Sequence, residues 1–337
     1  MRRGIVAAGS LIVDTIKLID AYPKPGTLAN IRGIGQCVGG LAANTVIDIA
    51  VMDGDIPLAS IGKIGDDELG ALITNTLKRH GVDSSRIIRS EYPTSFTDVM
   101  NDMSTGERTF FHERGANARF GIEDIDFDAI EAEYFHVGYA LLLDKFDADD
   151  PEYGTVMARA LHKARAMGMK TSLDVVSENS GRFRKIVTPS LKYCTNVIIN
   201  ELEAGLITDI PPRDAEGRVI MANLRAICGK IKSLGVEQNV VIHMPECGAA
   251  VDEHGKFSVV GSYELPAGYV KGSVGAGDAF CAGMLYSMYK GFDMPQALKF
   301  ANGAAALCLS NENAIDGMGS AAEIDAITFP QREIDFS

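Results

Sequence analysis

The sequence predicts an α/β fold: a mostly parallel central sheet covered by helices on both faces, with a small separate β-sheet as a lid. Three observations predict it. Short apolar runs alternate with longer helical patterns, the mark of β-then-α units. Two segments, 12–35 and 94–115, break that alternation and are themselves β-like. Glycine-rich turns stand directly before two of the helical runs, at Gly39-Gly40 and at Gly275-Ala276-Gly277.

In chain order, the predicted strands are Ile5–Ala8, Leu58–Ile61, Tyr134–Val137, Thr171–Val175, Val197–Ile199 and Val240–His243. Helical patterns lie around Leu41–Met52, Asp67–His80, Thr155–Met167 and Ala215–Leu234. After Gly277 come two more, Asp278–Tyr289 and Pro295–Leu309, with no clear strand between. Segment 12–35 holds Ala21-Tyr22-Pro23-Lys24-Pro25-Gly26 between short β-like runs, and segment 94–115 reads as a hairpin. Its arms are Ser95–Asp102 and Glu107–Glu113, reversed at Ser104-Thr105-Gly106, with Phe110 and Phe111 supplying β-propensity. The expected organisation is one domain, residues 1–330, with the two insertions paired into a lid over the crevice at the strand ends. An isolated small sheet is marginal, so its outer face is expected to pair two copies into a homodimer.

Composition bounds the function. The chain has 337 residues, 46% hydrophobic, with a formal net charge of −13. That balance argues against nucleic acid as the main partner, because phosphate backbones need Lys and Arg. A mononucleotide needs only a local positive site. The six cysteines form no CxxC pair or zinc spacing and read as reduced thiols. Met1–Asp14 is basic and then apolar, but Asp14 and Lys17 interrupt the run, which reads as a first strand and not a signal peptide. No stretch approaches a membrane span, so a cytoplasmic protein is expected.

Four stretches carry chemistry. In Gly272-Ser273-Val274-Gly275-Ala276-Gly277-Asp278, three small residues precede an Asp that opens a helix. Small residues let the backbone turn sharply and leave N–H groups uncovered, and the helix dipole behind them suits an anion. The bland alternative is that Asp278 merely caps the helix. Val38-Gly39-Gly40-Leu41-Ala42-Ala43-Asn44 again sets glycines before a helix, with an amide in its first turn. Gly62-Lys63-Ile64-Gly65-Asp66-Asp67-Glu68-Leu69-Gly70 reads as a turn and a capped helix. Asn200-Glu201-Leu202-Glu203 follows an apolar strand, and an amide with two carboxylates can hold a hydrated Mg²⁺.

In this order and spacing, the four stretches resemble the PfkB carbohydrate kinases, the ribokinase-like family, from about Gly4 to about Ile327. The resemblance implies a three-layer α/β/α fold with a β lid, and transfer of the γ-phosphate of ATP to a sugar hydroxyl. It implies that Asp278 is the general base and that the amides of Gly275, Ala276 and Gly277 form the anion hole. Asn200 and Glu203 match the motif linked to Mg²⁺ through water. Asp14, Gly39, Gly40 and Asn44 match sugar-binding positions. His243 stands on the strand that touches the nucleotide in relatives, and Asn302 on a helix bordering the adenine pocket. No P-loop is present, so ATP must be held in this other manner.

The chain departs from the family pattern in three places. Gly272 stands where relatives often carry an Asp that helps bind an activating monovalent cation, so K⁺ activation is not expected; Asp316 is a candidate substitute. His243-Met244-Pro245 replaces a frequent Thr-x-Gly, and Leu41-Ala42 matches neither the ribokinase nor the fructokinase pattern. The sugar therefore stays open, with a nucleoside kinase of the same superfamily and a non-catalytic sugar-binding protein as alternatives. Among the histidines, His136 reads as a satisfied core residue, and His112 is a candidate for substrate contact by position alone. Asp174, at the end of its strand, is a candidate for shaping the phosphate site.

Overall fold

The computed structural model describes residues 2–177 and 181–334. Eight strands form the central sheet in the order Phe257–Gly261, Cys247–Val251, Asn239–His243, Asn196–Asn200, Lys170–Val175, Tyr134–Ala140, Ile5–Gly9, Leu58–Ile61. The six from Asn239–His243 onward run parallel; the first two are antiparallel. Side chains alternate across each strand, which splits the core in two. Ile5 and Ala7 pack with the helices Leu41–Met52, Ala276–Lys290 and Met294–Cys308 on one face. Val6 and Ala8 pack with Val156–Ala166, Phe183–Leu191 and Met221–Ser233 on the other. The three-layer prediction holds.

The strand order reverses at Ile5–Gly9: the chain first adds Leu58–Ile61 on one side and then Tyr134–Ala140 on the other. A crevice opens at such a switch point, outside the carboxyl ends of the strands. The backbones crowd there: a Cβ at Gly9 would lie 1.7 Å from the Gly138 carbonyl oxygen.

From that point rises a second sheet of four strands, ordered Ile31–Gly39, Ile12–Ile19, Phe96–Asp102, Arg108–Glu113. The two β-like segments thus pair with each other and stay out of the central sheet. Pairing runs past the expected limit at Gly35, as far as Gly39. The hairpin turn forms at the expected residues: the Asp102 carboxylate accepts from the backbone N–H groups of Ser104 and Thr105.

Three readings are corrected. The helix expected from Ala215 starts at Met221, because Asp214 takes the N–H groups of Glu216 and Arg218 and closes a turn there. The strands Cys247–Val251 and Phe257–Gly261 were not foreseen; Gly248, Ala249 and Ala250 carry little β signal. The helix Phe183–Leu191 was masked by Pro189 in its last turn. All six cysteines are free, five of them buried. Among the described residues, no helix is long and apolar enough to cross a membrane.

Candidate active site

Asp278 sits in the first turn of Ala276–Lys290, whose N-cap Gly275 adopts φ +82°. A Cβ at Gly275 would meet Ala314 at 2.5 Å, so glycine is required both by conformation and by space. Asp278 does not cap its helix. Its Oδ2 accepts from Asn44 Nδ2 at 2.8 Å, and its Oδ1 accepts from the Tyr139 hydroxyl at 2.6 Å. Burial pushes this carboxyl above its ordinary value, while the Asn44 and Tyr139 hydrogen bonds hold it down. At the helix start, Ala276 N–H reaches back to Ser273 O at 3.4 Å. Among the described residues no protein acceptor takes the N–H of Gly277. His243 stands beside this turn: its ring centroid is 5.1 Å from that of Phe280, and a Cβ on Gly277 would lie 3.4 Å from its Cε1. Burial lowers the His243 pKa to about 4, so its imidazole is neutral.

Asn44 is delivered by the Gly39-Gly40 turn. Gly40, at φ +89°, caps Leu41–Met52, and a Cβ there would meet Ser10 O at 2.4 Å. A Cβ on Gly39 would lie 2.8 Å from Asp14 Oδ2, so this glycine leaves room for the carboxylate. With its amide nitrogen committed to Asp278, Asn44 keeps a buried Oδ1 without a partner among the described residues. Burial, opposed by the Thr97 hydrogen bond and reinforced by the charge of Asp278, raises the Asp14 pKa to about 6. Asp14, Gly39, Gly40, Asn44, Gly275, Ala276, Gly277, Asp278 and His243 therefore surround one crevice.

Asn200, at the end of Asn196–Asn200, and Glu203, in the first turn of the helix Glu201–Thr208, form a reciprocal capping box. Asn200 Oδ1 accepts Glu203 N–H at 2.9 Å, and Glu203 Oε2 accepts Asn200 N–H at 3.0 Å. Glu203 Oε1 also accepts from Ser177 Oγ at 2.8 Å. Burial raises Glu203 to about 7. Between Glu203 and Asp278 lies Asp174, raised well above its ordinary value by burial and by the charges of Asp278 and Glu203. Among the described residues no Lys or Arg pairs with any of these three carboxyls. A row of unneutralised buried acids suits a cation carrying its own waters.

Asn302 does not join the group. Its Nδ2 donates to Val260 O and Gly261 O, both at 3.1 Å, and so ties its helix to the edge strand. His136 is satisfied in the core, as expected, by Ser172 Oγ at 2.8 Å and Cys281 Sγ at 3.5 Å. Tyr139 went unnoticed in the sequence because the predicted strand ended at Val137. A polar-tipped aromatic just past a central strand was the available signal.

The chain matches the family model of the pfkB family carbohydrate kinases over residues 2–320. The chain belongs to that family. Among pfkB relatives, the Arabidopsis thaliana ribokinase is 28% identical over 93% of this chain and 78% of its own length. The ATP-dependent ribose-1-phosphate kinase of Halopiger xanaduensis is 27% identical over 96% of both chains. In structure, the chain resembles the Thermotoga maritima ribokinase with a TM-score of 0.78 at 19% identity, over 96% of this chain and 98% of that one. The Arabidopsis thaliana ribokinase complexed with ribose and ATP gives the same TM-score at 23% identity, over the same shares. The pfkB chain described here is thus a carbohydrate kinase with the ribokinase fold.

Proposed function

We propose that this kinase transfers the γ-phosphate of ATP to a hydroxyl of a sugar bound between the lid and the helix Leu41–Met52, with Asp278 as the general base. The observation that carries the reading is Asp278 itself. A buried carboxylate is oriented by Asn44 and Tyr139 at a helix N-terminus whose Gly277 N–H has no protein acceptor among the described residues. Such a terminus suits a phosphoryl group, and the adjacent carboxylate can take the proton of an attacking hydroxyl. Phosphoryl transfer depends on placement and charge neutralisation more than on covalent chemistry from the protein.

In this reading Asp14 and Asn44 accept hydrogen bonds from sugar hydroxyls, and Gly39 keeps the space between them open. The amides of Gly275, Ala276 and Gly277 and the neutral imidazole of His243 border the phosphates. Asn200, Glu203 and Asp174 would hold Mg²⁺ through its waters; the ion, when bound with ATP, supplies neutralisation of the triphosphate charge. The loop is taken to work without a monovalent cation, and the outer lid face to join two subunits.

A panel of sugars and nucleosides with ATP and Mg²⁺, read as ADP release, tests the substrate class. Asp278→Asn should melt normally and still bind ATP, while kcat on the best sugar falls by roughly 10²–10⁴-fold. Near-normal turnover would remove Asp278 from the mechanism.

A further inference from the structure

Three side chains of metal-ligand type meet under the helix Ala276–Lys290, one turn past Asp278. Alternate residues of a strand face the same side of the sheet. Tyr134 packs into the layer of that helix, so His136, two residues on, faces it as well. Ser172 is the direct pairing partner of His136, and Asp174 lies two residues beyond Ser172 on the same strand. Cys281 comes from the helix itself, three residues after Asp278 and on the same side of it. One ligand atom each of His136, Asp174 and Cys281 lie within 4.8 Å of one another, and all three residues are buried.

The spacing is that of a tetrahedral metal site. His136 Nε2 lies 3.5 Å from Cys281 Sγ. Tetrahedral zinc, bonded at about 2.3 Å to sulfur and about 2.1 Å to nitrogen, sets two such ligands about 3.6 Å apart. The imidazole is already held from behind: its Nδ1 lies 2.8 Å from Ser172 Oγ, and a ligating histidine has its second nitrogen fixed by a partner of this kind. Asp174 Oδ1 accepts from Val175 N–H at 2.8 Å, while among the described residues no protein donor reaches its Oδ2. Asp174, 8% exposed at the end of its strand, is the accessible corner of the cluster. A thiol and an imidazole select a softer cation than the Mg²⁺ that accompanies ATP, which prefers oxygen ligands.

We propose that His136 Nε2, Cys281 Sγ and the Asp174 carboxylate form a site for one thiophilic divalent cation of the zinc class, and that filling it switches the kinase off. Binding converts the Cys281 thiol to a thiolate bonded to the metal, and its proton passes to solvent. The charges of Asp174 and Asp278 both bear on Cys281, and a dication placed there is attracted by both. The effect on turnover rests on the reading of Asp278 as the base. A dication one helical turn away stabilises the ionised Asp278 and makes it a poorer acceptor of the hydroxyl proton. It also withdraws Asp174 from the waters of the Mg²⁺ ion.

Cobalt is the spectroscopic probe. Co²⁺ added to the chelator-treated protein should give the intense visible bands of a tetrahedral ion with a thiolate-to-cobalt charge-transfer band, and Zn²⁺ should displace it. Cys281→Ser keeps a donor toward His136 and removes the sulfur, so the charge-transfer band should vanish although the other cysteines remain. A band missing from the unaltered protein, or kept in Cys281→Ser, would overturn the site. Asp174→Asn provides a second variant should Cys281→Ser not fold. Loss of a partner behind a ligand already costs roughly 10–100-fold in metal affinity, so loss of a ligand should weaken cobalt binding at least as much. Unchanged affinity in Asp174→Asn would also overturn the site. For the switch, turnover of the best sugar is followed at saturating Mg²⁺ and ATP with free Zn²⁺ set by a chelating buffer. The rate should fall saturably by about tenfold or more and return with excess chelator, while Cys281→Ser keeps its zinc-free rate. Equal inhibition of Cys281→Ser, or none in the unaltered protein, would overturn the switch. The cobalt spectrum needs no substrate, so a failure of the metal site and a failure of the sugar-kinase reading are told apart.

Discussion

Asp278 carries two donors, and they act against its surroundings. Burial raises its pKa; the Tyr139 hydroxyl and the Asn44 amide stabilise the ionised form. Tyr139 is itself held well above its ordinary pKa by burial and by the charge of Asp278, so it donates and does not ionise. Tyr139→Phe removes one of the two donors. The folded-state pKa of Asp278 then rises, and the carboxyl proposed as the base is protonated over a wider acid range. The acid limb of the kcat profile should move to higher pH, with turnover well above that limb little changed. A hydrogen bond to a charged group contributes about 1.5–3 kcal/mol, enough for a resolvable shift. An unmoved acid limb would mean that the contact at 2.6 Å does not tune Asp278. Asp48, one helical turn beyond Asn44, shows the same physics without donors. Among the described residues neither of its oxygens has a partner, and burial and the charge of Asp278 push its carboxyl well above its ordinary value.

At the scale of the element, the loop before Ala276–Lys290 decides which ions it can use. A Cβ on Gly272 would lie 2.9 Å from Glu312 O and 3.0 Å from Asn311 O, so no carboxylate fits there without moving backbone. The candidate substitute, Asp316, is tied to its own turn. Its Oδ2 accepts from Asn313 Nδ2 at 2.6 Å, and its charge bears on Cys37 and His80. A site without a formal negative charge binds a monovalent cation weakly. Replacing K⁺ by tetramethylammonium at constant ionic strength should therefore leave kcat essentially unchanged. Saturable activation by K⁺ would contradict this, and Asp316→Asn would then be the variant to make.

Across the whole molecule, the lid is the element left with unsatisfied surface. On its outer face Ile34 is 67% and Phe111 50% exposed, beside the Lys17–Asp98 ion pair. Four strands with an uncovered apolar face gain from a partner, and a second copy of the same face gives closed two-fold symmetry. Light scattering on an eluting column should give the mass of a dimer. Phe111→Lys should shift it toward the monomer without lowering the melting point of the isolated subunit. A monomeric unaltered protein would remove the lid from the interface.

The sequence by itself determined the layers, the lid segments and the glycine turns that precede Leu41–Met52 and Ala276–Lys290. Each is written in local signals: period-two and period-3.6 patterning, a turn at Ser104-Thr105-Gly106, glycines that only a left-handed or crowded backbone requires. Leu41–Met52 and Leu58–Ile61 were legible to the residue. Only the tertiary structure decided what those residues touch. Asn44 and Asp278 are 234 positions apart, and no local pattern could say that one orients the other. The same holds for Tyr139 and for the commitment of Asn302 to Val260 and Gly261. Local patterning fixes which way a side chain points from its own element. Which groups meet, and therefore which carboxyl is buried, paired or left ionised, depends on contacts between elements distant in the chain.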